Sequence, residues 1–532
     1  MNRPRRLVVA LAAALSLVAP LHAQVNLPAL GDSVSQDLDV NDERRFGDQI
    51  MRQIRLDPDY LDDPLLLEYV QRLWDPLVRA AKQLGQIGDD TGGRFAWETF
   101  LVRDRSVNAF ALPGGFVGVH LGLIAMTGAP DELASVLGHE LSHVTQRHIA
   151  RRLAGDARNS LLATAGLIVG LLAASRAGNA DMANAAIVGS QAAAAAASLS
   201  FSRDMEREAD RVGFNVMTRA GFAPSGMASM FERMEQAYNL TDSGAYPYLR
   251  SHPLTSERIG EARARLGTVP MVRPQGLAEH ALMAARARVL MDMRAEILRQ
   301  AQGLDAGTRG NAYEQLGARY ASALASIKLR NWPRAETALG SAEQMLALIG
   351  NEAHALRALQ LLRAELAQAQ EQASAGYAAL APLAQDRSRV LMVQRAQLAL
   401  LDPQPEAARQ AAEALQTHVS LVPRDALAWS VLAQLWQKLG QPLRAVRALG
   451  ETRAAVGDLS GAIDRLRSGL NQSRGRDADQ IEAAVIDARL RSLLYERRQL
   501  MAELYPNGPP RGAEQLMQKG RPLSPRLPAQ QP

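Results

Sequence analysis

The sequence predicts a mainly α-helical protein with two parts: an N-terminal α+β domain with a small β-sheet, and a C-terminal α-helical solenoid. Three patterns indicate this fold class. Apolar residues recur at helical spacing across residues 130–150, an alternating run turns on glycine within residues 107–120, and helix pairs repeat from residue 311 onward. The chain has 532 residues, which is too long for one hydrophobic core and agrees with two or more domains.

The first segment, residues 1–23, has the parts of a secretory signal peptide: a basic start, an apolar run and a small residue at Ala23. An uncleaved N-terminal anchor is the alternative. Most of the small positive charge lies in this segment, so the remaining chain lacks the basic surface expected of a nucleic-acid-binding protein. The absence of cysteine is compatible with export. Residues 24–42 are polar and are predicted to form a loosely packed arm.

The first domain is predicted to cover residues 43–269 and to begin with helices that are interrupted by prolines. A strand is expected at residues 95–102. Residues 107–120 are predicted to form a β-hairpin that turns at residues 113–115, a Pro-Gly-Gly sequence. These segments would supply the small sheet.

The helix predicted over residues 130–150 carries an H-E-x-x-H motif formed by His139, Glu140 and His143. Positions four apart share one helix face, so the two imidazoles can bind one metal ion. Glu140 lies about 100° around the helix from His139, where its carboxylate can take a proton from a water at the metal. The surrounding apolar residues favour a buried helix over a chance match on an exposed face. His148, about one turn further on, is interpreted as a packing or surface histidine.

A second motif, E-x-x-x-D, lies at Glu206 and Asp210 on another predicted helix. Catalytic zinc typically takes three protein ligands, and two histidines with one glutamate complete that set. Asp210 can then accept a hydrogen bond from the outer nitrogen of a ligand histidine and so support catalysis. Taken alone, the two carboxylates would indicate an exposed charged face, because residues 203–211 are rich in charge.

A third motif, His-Pro-x-x-x-x-Arg, runs from His252 to Arg258. Together, the three motifs resemble those of the HtpX and CAAX-prenyl-protease type of zinc metallopeptidase. The resemblance implies a zincin-like α+β domain and one zinc ion per chain, bound by His139, His143 and Glu206. It also implies that the glutamate of the H-E-x-x-H motif is the general base.

The same resemblance assigns further residues to the site. His252 is implied as a regulatory fourth ligand or an oxyanion donor, and Arg258 as oxyanion support. Asn108, Ala109 and Phe110 are implied to form an edge strand with which an extended substrate can pair through main-chain hydrogen bonds. A surface position for His252 and an ordinary hairpin that only caps the sheet are the alternatives.

Residues 159–175 are uncharged and apolar and reach the lower length limit of a membrane-spanning helix. Arginines crowd both ends, and the segment lies between the two halves of the predicted metal site, which argues against a span. We therefore expect a lid near the cleft that can make peripheral contact with a membrane. An integral membrane protease anchored by this segment is the alternative.

The C-terminal half is predicted to contain a linker and connecting helix at residues 270–310, repeated helix pairs at 311–500 and a disordered Pro-rich tail at 501–532. The predicted pairs are 311–329 with 333–348, 352–368 with 372–383, 390–400 with 405–419, and 426–439 with 442–456. Trp429 and Trp436 fit the tetratricopeptide pattern, although the repeat period varies. Such pairs stack into a solenoid with a concave surface for protein segments, whereas a plain helical bundle is the alternative.

The complete layout of signal peptide, metallopeptidase domain and helical repeats resembles the family of periplasmic β-barrel assembly-enhancing proteases. This resemblance implies a periplasmic zinc endopeptidase with a chaperone-like role, which degrades misfolded or stalled outer-membrane proteins. The repeats would dock to the β-barrel assembly machinery or to unfolded outer-membrane proteins. The alternative is a non-proteolytic chaperone or adaptor with a latent or structural zinc site.

Overall fold

The computed structural model describes residues 39–153, 201–240, 247–267, 269–307, 310–473 and 480–504. The predicted signal peptide, most of the predicted arm, the apolar segment 159–175 and almost all of the predicted tail lie outside the described residues. Within the ranges that are described, no helix is both long and apolar enough to cross a membrane.

The N-terminal domain places helices around a four-stranded sheet. Its strands are β1 (Tyr60–Leu61), β2 (Glu98–Val102), β3 (Ala109–Leu112) and β4 (Phe116–His120). Its helices are α1 (Val40–Ile54), α2 (Pro64–Gln83), α3 (Asp89–Gly92), α4 (Leu121–Met126), α5 (Pro130–Thr145), α6 (His148–Leu153), α7 (Arg203–Arg219), α8 (Ser225–Leu240), α9 (Tyr248–Ser251) and α10 (Ser256–Leu266). The predicted α+β class of this domain is confirmed.

The sheet has the strand order β1-β2-β4-β3, in which β2 and β4 are parallel and the other two pairs are antiparallel. The strand β3 is therefore an edge strand. The predicted hairpin turn forms between β3 and β4, where Gly114 and Gly115 adopt φ angles of 77° and 87° that glycine tolerates without strain. β3 packs against α5, so the edge of the sheet lies beside the H-E-x-x-H helix.

The helix α5 lies at the centre of the domain, and every residue from Pro130 to Val144 is buried. The helices α2, α7 and α8 pack around it. α7 can approach closely because both helices carry glycine at the crossing: a Cβ atom on Gly213 would lie 3.0 Å from the carbonyl carbon of Gly138. Gly138 directly precedes His139, so this crossing brings the carboxylates of α7 to the histidines of α5.

The C-terminal domain is helical throughout its described residues. Its helices are α11 (Leu277–Leu290), α12 (Ala295–Gln302), α13 (Ala312–Lys328), α14 (Trp332–Ile349), α15 (Ala353–Ala369), α16 (Ala373–Leu380), α17 (Arg389–Leu401), α18 (Pro405–Leu421), α19 (Ala426–Lys438), α20 (Pro442–Ala455), α21 (Leu459–Ser473) and α22 (Gln480–Leu504); short 3₁₀ turns follow α12 and α16. The helices α13 to α20 form the four predicted pairs, and Trp429 and Trp436 are buried among them.

The two domains share a continuous hydrophobic core and are also joined by arginines of the C-terminal domain that bind carboxylates near the start of α2. Arg286 binds Asp63, Arg357 binds Glu68 and Arg389 binds Asp62, each with a nitrogen–oxygen distance of 2.7 Å. These arginines lie on α11, α15 and α17, so successive layers of the helical domain contact the same part of the peptidase domain.

Two predicted domain boundaries fall inside helices. The helix α1 begins at Val40, inside the predicted arm, because the side chain of Asp39 caps the helix by accepting a hydrogen bond from the main-chain N–H of Asn41. The helix α22 continues to Leu504, beyond the predicted end of the repeats at residue 500.

Candidate active site

The histidines of α5 face one another across a single turn of the helix. His139 Nε2 and His143 Nε2 are 3.0 Å apart, and both side chains are buried. This geometry follows from the spacing of four residues, which places both imidazoles on one face.

The helix α7 supplies Glu206 and Asp210 to the same place. Asp210 Oδ1 is 2.9 Å from His139 Nδ1 and accepts a hydrogen bond from the Nδ1–H group. With its proton on Nδ1, His139 has a free lone pair on Nε2. Glu206 lies across from the two Nε2 atoms: Oε2 is 3.5 Å from His139 Nε2, and Oε1 is 3.5 Å from His143 Nε2. The four side chains predicted to hold or support zinc are therefore adjacent.

His252 completes the cluster. It directly follows α9, and its Nδ1 atom lies 2.8 Å from Glu206 Oε1 and 3.3 Å from His139 Nε2. Burial lowers the pKa of His252, but the charges of Glu206 and Glu140 outweigh burial and hold this pKa above its ordinary value. The structure thus places His252 inside the site, not at the surface.

The cluster fits a single zinc ion. One ligand atom from each of His139, His143, Glu206 and His252 lies within 4.8 Å of the others. Imidazole nitrogens and a carboxylate oxygen are the donors that zinc takes in proteins. The Oε2 atom of Glu206 is buried and makes no hydrogen bond to a described residue, although Arg258 Nη1 lies 3.0 Å from it. A carboxylate oxygen has two lone pairs, so this atom can also bind a metal ion. Burial lowers the pKa of His143 well below its ordinary value, which keeps its imidazole neutral and able to bind a metal.

Glu140 points into the cluster from the side of the edge strand. Its Oε2 atom accepts a hydrogen bond from the Ala111 N–H at 3.0 Å, while its buried Oε1 atom lies 3.5 Å from His252 Nε2 and makes no hydrogen bond to the described residues. Burial raises the pKa of Glu140 above its ordinary value, although nearby histidines oppose the shift. A carboxylate with a raised pKa is suited to taking up and returning a proton.

The hydrogen bonds of β3 show which of its main-chain groups face β4 and which face away from it. Asn108 O accepts a hydrogen bond from the His120 N–H at 3.1 Å, so the main-chain groups of Asn108 and Phe110 face β4. Those of Ala109 and Ala111 alternate with them and face the open edge. Of the three predicted residues, Ala109 alone offers outward main-chain groups. Ala109 and Phe110 lie in the edge strand and Asn108 directly precedes it, while the pairing of this strand with substrate stays a prediction.

Arg258 occupies a different place from the one implied by the resemblance. Its Nε and Nη2 atoms donate to the two oxygens of Asp210 at 2.6 and 2.8 Å, and Nη1 donates to Pro253 O at 2.9 Å. Nη1 also lies 3.0 Å from Glu206 Oε2. All three guanidinium nitrogens are engaged by the protein. This arrangement favours a role in holding Asp210 and the His252 loop over the expected oxyanion support, because the first turn of α10 directs Arg258 back toward α7.

Of the two interpretations of His148, a packing or a surface histidine, the structure excludes a surface position. This side chain is fully buried, and its Nδ1 atom lies 2.9 Å from His143 Nδ1. Its Nε2 atom lies 3.0 Å from Glu208 Oε2. On a continuous helix, residues five apart would lie about 140° apart and could not meet. The helix breaks at Arg147, whose φ is 52°, and the turn brings His148 back to His143. The recurrence of histidine five residues after His143 was the only sequence signal.

Two aromatic rings cover the remaining faces of the cluster. Phe201 stacks on His143 with ring centroids 3.9 Å apart, and Tyr248 lies against His252 with centroids 4.6 Å apart. Neither ring was predicted from the sequence. Together they limit the access of water to the cluster.

A buried cluster of two histidines and a glutamate, with the glutamate of H-E-x-x-H beside it and an edge strand alongside, defines a metallopeptidase. The sequence model of peptidase family M48 matches residues 68–266, which contain the whole cluster. The chain belongs to peptidase family M48, a family of zinc-dependent metalloproteases.

The similarity extends beyond the peptidase domain. The chain is 30% identical over 505 residues to the β-barrel assembly-enhancing protease of Escherichia coli K12, covering 93% of this chain and 97% of that protein. It is 30% identical to the protein of the same name from Yersinia pestis, covering 85% and 91% of the two chains. The mitochondrial metalloendopeptidase OMA1 of Schizosaccharomyces pombe is 35% identical over 163 residues, 31% of this chain and 44% of that protein.

Proposed function

We propose that this chain is a periplasmic zinc endopeptidase that degrades misfolded or stalled outer-membrane proteins and assists the assembly of β-barrels. The position of Glu140 carries the proposal of peptidase activity, because its carboxylate lies between the metal-binding cluster and the open edge of β3. The similarity to β-barrel assembly-enhancing proteases over nearly the full chain supports the substrate class.

In this proposal, His139, His143 and Glu206 hold the metal. Zinc, when bound, polarises the scissile carbonyl and lowers the pKa of water. Glu140 accepts the proton of the attacking water through its free Oε1 atom and later delivers a proton to the leaving amine. Asp210 fixes the ring of His139, and Arg258 fixes Asp210. Phe201 and Tyr248 keep bulk water from the reacting groups.

Substrate would bind as an extended strand along β3. The N–H and C=O of Ala109 face away from β4 and would supply the main-chain pairing once the residues that cover Ala109 move. The side-chain oxygen of Asn108, buried without a hydrogen bond to a described residue, offers one further acceptor. Main-chain pairing is independent of side-chain identity. It therefore suits an enzyme that acts on many unfolded or stalled chains.

His252 would restrain the enzyme at rest. With zinc bound, His252 would fill the fourth ligand position that a catalytic zinc site normally leaves to water or substrate. Because His252 directly follows the four-residue helix α9, a small movement of this segment would open that position. We propose that the binding of substrate or a partner moves His252 out of the cluster.

The helical domain would recruit clients or the assembly machinery. Part of its surface already contacts α2 of the peptidase domain, which would hold a recruited chain close to the active site. Peripheral membrane contact through residues 159–175 belongs to the same proposal, although that segment lies outside the described residues.

A non-proteolytic chaperone or adaptor is the second candidate. One observation favours it: with His252 included, the cluster offers four protein ligands, as structural zinc sites do. The intact Glu140 opposes it, because a structural zinc site has no need for an additional buried carboxylate that makes a single hydrogen bond.

The deciding experiment measures zinc content and cleavage of an unfolded outer-membrane β-barrel protein by the wild type, Glu140→Gln and His252→Ala. The proposal expects about one zinc per chain in all three proteins and cleavage that requires Glu140. Zinc without cleavage in the wild type and in His252→Ala would favour the adaptor. A wild type without zinc would contradict the proposed ligand set.

A further inference from the structure

The side chains of His148 and Glu208 form a hydrogen-bonded pair behind the metal-binding cluster. His148 is fully buried and lies outside the four-residue ligand cluster, because its Nδ1 atom faces the Nδ1 atom of His143, not the Nε2 atom. Glu208 lies on α7, between the ligand Glu206 and the supporting Asp210 in the sequence. Its Oε2 atom accepts hydrogen bonds from His148 Nε2 and Arg151 Nη1.

The direction of the hydrogen bonds follows from the ligand role of His143. With Nε2 directed at the cluster, the single proton of a neutral His143 resides on Nδ1. Nδ1 therefore donates to His148 Nδ1, which has to be the unprotonated nitrogen of His148. The proton of His148 then resides on Nε2, which donates to Glu208 Oε2. Only one arrangement of protons satisfies every contact in this chain of groups.

We propose that His148, held by Glu208, is a positioning residue that fixes the ring orientation and tautomer of His143 for zinc binding. This inference rests on the ligand set of the proposed function. His148 would accept a hydrogen bond from His143 Nδ1, as Asp210 does from His139 Nδ1. Hydrogen-bond partners of this kind orient ligand histidines and typically contribute about 10- to 100-fold to metal affinity.

The local backbone is arranged to deliver His148 to this place. Arg147 adopts a left-handed conformation with φ of 52°, and its Nε atom donates to the buried Glu43 Oε2 at 3.1 Å. Main-chain bonds from Arg147 N to Val144 O and from Arg151 N to Arg147 O close the turn between α5 and α6. The turn therefore redirects the chain while both helices keep their hydrogen bonds.

The test is the zinc affinity of the full chain, measured by competition with a chelator of known affinity. His148→Phe fills the same space without an acceptor and is expected to bind zinc about 10- to 100-fold more weakly. His148→Gln restores an oxygen acceptor for His143 Nδ1 and is expected to recover most of the affinity. Glu208→Ala is expected to have a smaller effect than His148→Phe, because Glu208 is 31% exposed and water can replace its oxygen.

Thermal unfolding of the metal-free proteins separates positioning from a general structural role. The proposal expects the metal-free variants to unfold close to the metal-free wild type, while the zinc-loaded His148→Phe protein loses stabilisation. Equal zinc affinity in the wild type and both His148 variants would overturn the inference and leave the ligand set intact. Equal weakening in His148→Phe and His148→Gln would also overturn it, because an acceptor would then be irrelevant. If the wild type binds no zinc, the proposed ligand set itself fails.

Discussion

Glu140 is hydrogen-bonded to the main chain of Ala111: its Oε2 atom accepts the Ala111 N–H at 3.0 Å. The group proposed as general base is therefore fixed to the strand proposed to bind substrate. The N–H of Ala111 is occupied and Ala109 is fully buried, so a substrate could pair with Ala109 only after the residues that cover it move. A substrate that pairs there would bring a peptide carbonyl near Glu140 and the cluster.

Replacing Glu140 by Gln is expected to lower the rate of peptide cleavage by about 10²- to 10⁴-fold, because the amide cannot take a proton. The Gln side chain retains an oxygen that can accept the Ala111 N–H, so zinc content and folding should remain as in the wild type. Cleavage of an unfolded β-barrel protein and metal analysis check this. Wild-type activity in Glu140→Gln would remove Glu140 from the mechanism.

Replacing His252 by Ala is expected to raise cleavage by about tenfold or more, if the histidine fills the fourth position in most molecules at rest. Zinc should stay bound, because His139, His143 and Glu206 remain. The measurement is the initial rate of cleavage at matched zinc content. A fall in activity at full zinc occupancy would instead make His252 a catalytic group.

Replacing Asp210 by Ala is expected to weaken zinc binding about 10- to 100-fold, because His139 loses the acceptor that holds its ring. The variant should also unfold more easily, by about 1–3 kcal/mol, because two buried nitrogens of Arg258 lose their acceptor while its ion pair with Glu206 remains. Chelator competition and urea unfolding measure the two effects. Asp204→Ala on the same helix is the control, since that carboxylate is 91% exposed.

Replacing Arg286 by Ala is expected to destabilise the protein by about 3–5 kcal/mol, because it leaves Asp63 buried and unpaired at the contact between the domains. Arg294→Ala removes an exposed arginine that pairs with Asp292 and should change the free energy of unfolding little, because water screens an exposed ion pair. Urea unfolding compares the two variants. Equal effects would show that the buried pair does not hold the domains together.

The stability of the protein is expected to fall in acid, partly through His280. Burial lowers the pKa of His280 to about 4 from the ordinary 6.5, so the unfolded chain takes up this proton first. Above pH 6.5, His280 is neutral in both states and does not lower the free energy of unfolding. As the pH falls to about 4, proton uptake by the unfolded chain lowers the free energy of unfolding by about 3 kcal/mol. Unfolding free energies at pH 7, 5.5 and 4 should decline less steeply in His280→Asn. Parallel declines in the two proteins would contradict this assignment.

The helix pairs, the hairpin and the composition of the cluster could be predicted because each depends on local spacing. The interval of four residues between His139 and His143 places both on one helix face wherever the helix lies. The same interval separates Glu206 and Asp210. The glycines of the hairpin turn fix its position through their own backbone preference.

The sequence by itself determined the type of the main helices and of the hairpin, and the residues that could bind a metal, because helical periodicity and turn chemistry act between near neighbours. The tertiary structure alone decided the contacts of His148 and Arg258, the side of β3 that faces away from β4, and the docking of the helical domain on α2. These features depend on a helix break, on hydrogen bonds between distant segments and on buried charges that must find partners. Such requirements are met only when the whole chain has folded, so local patterns do not reveal them.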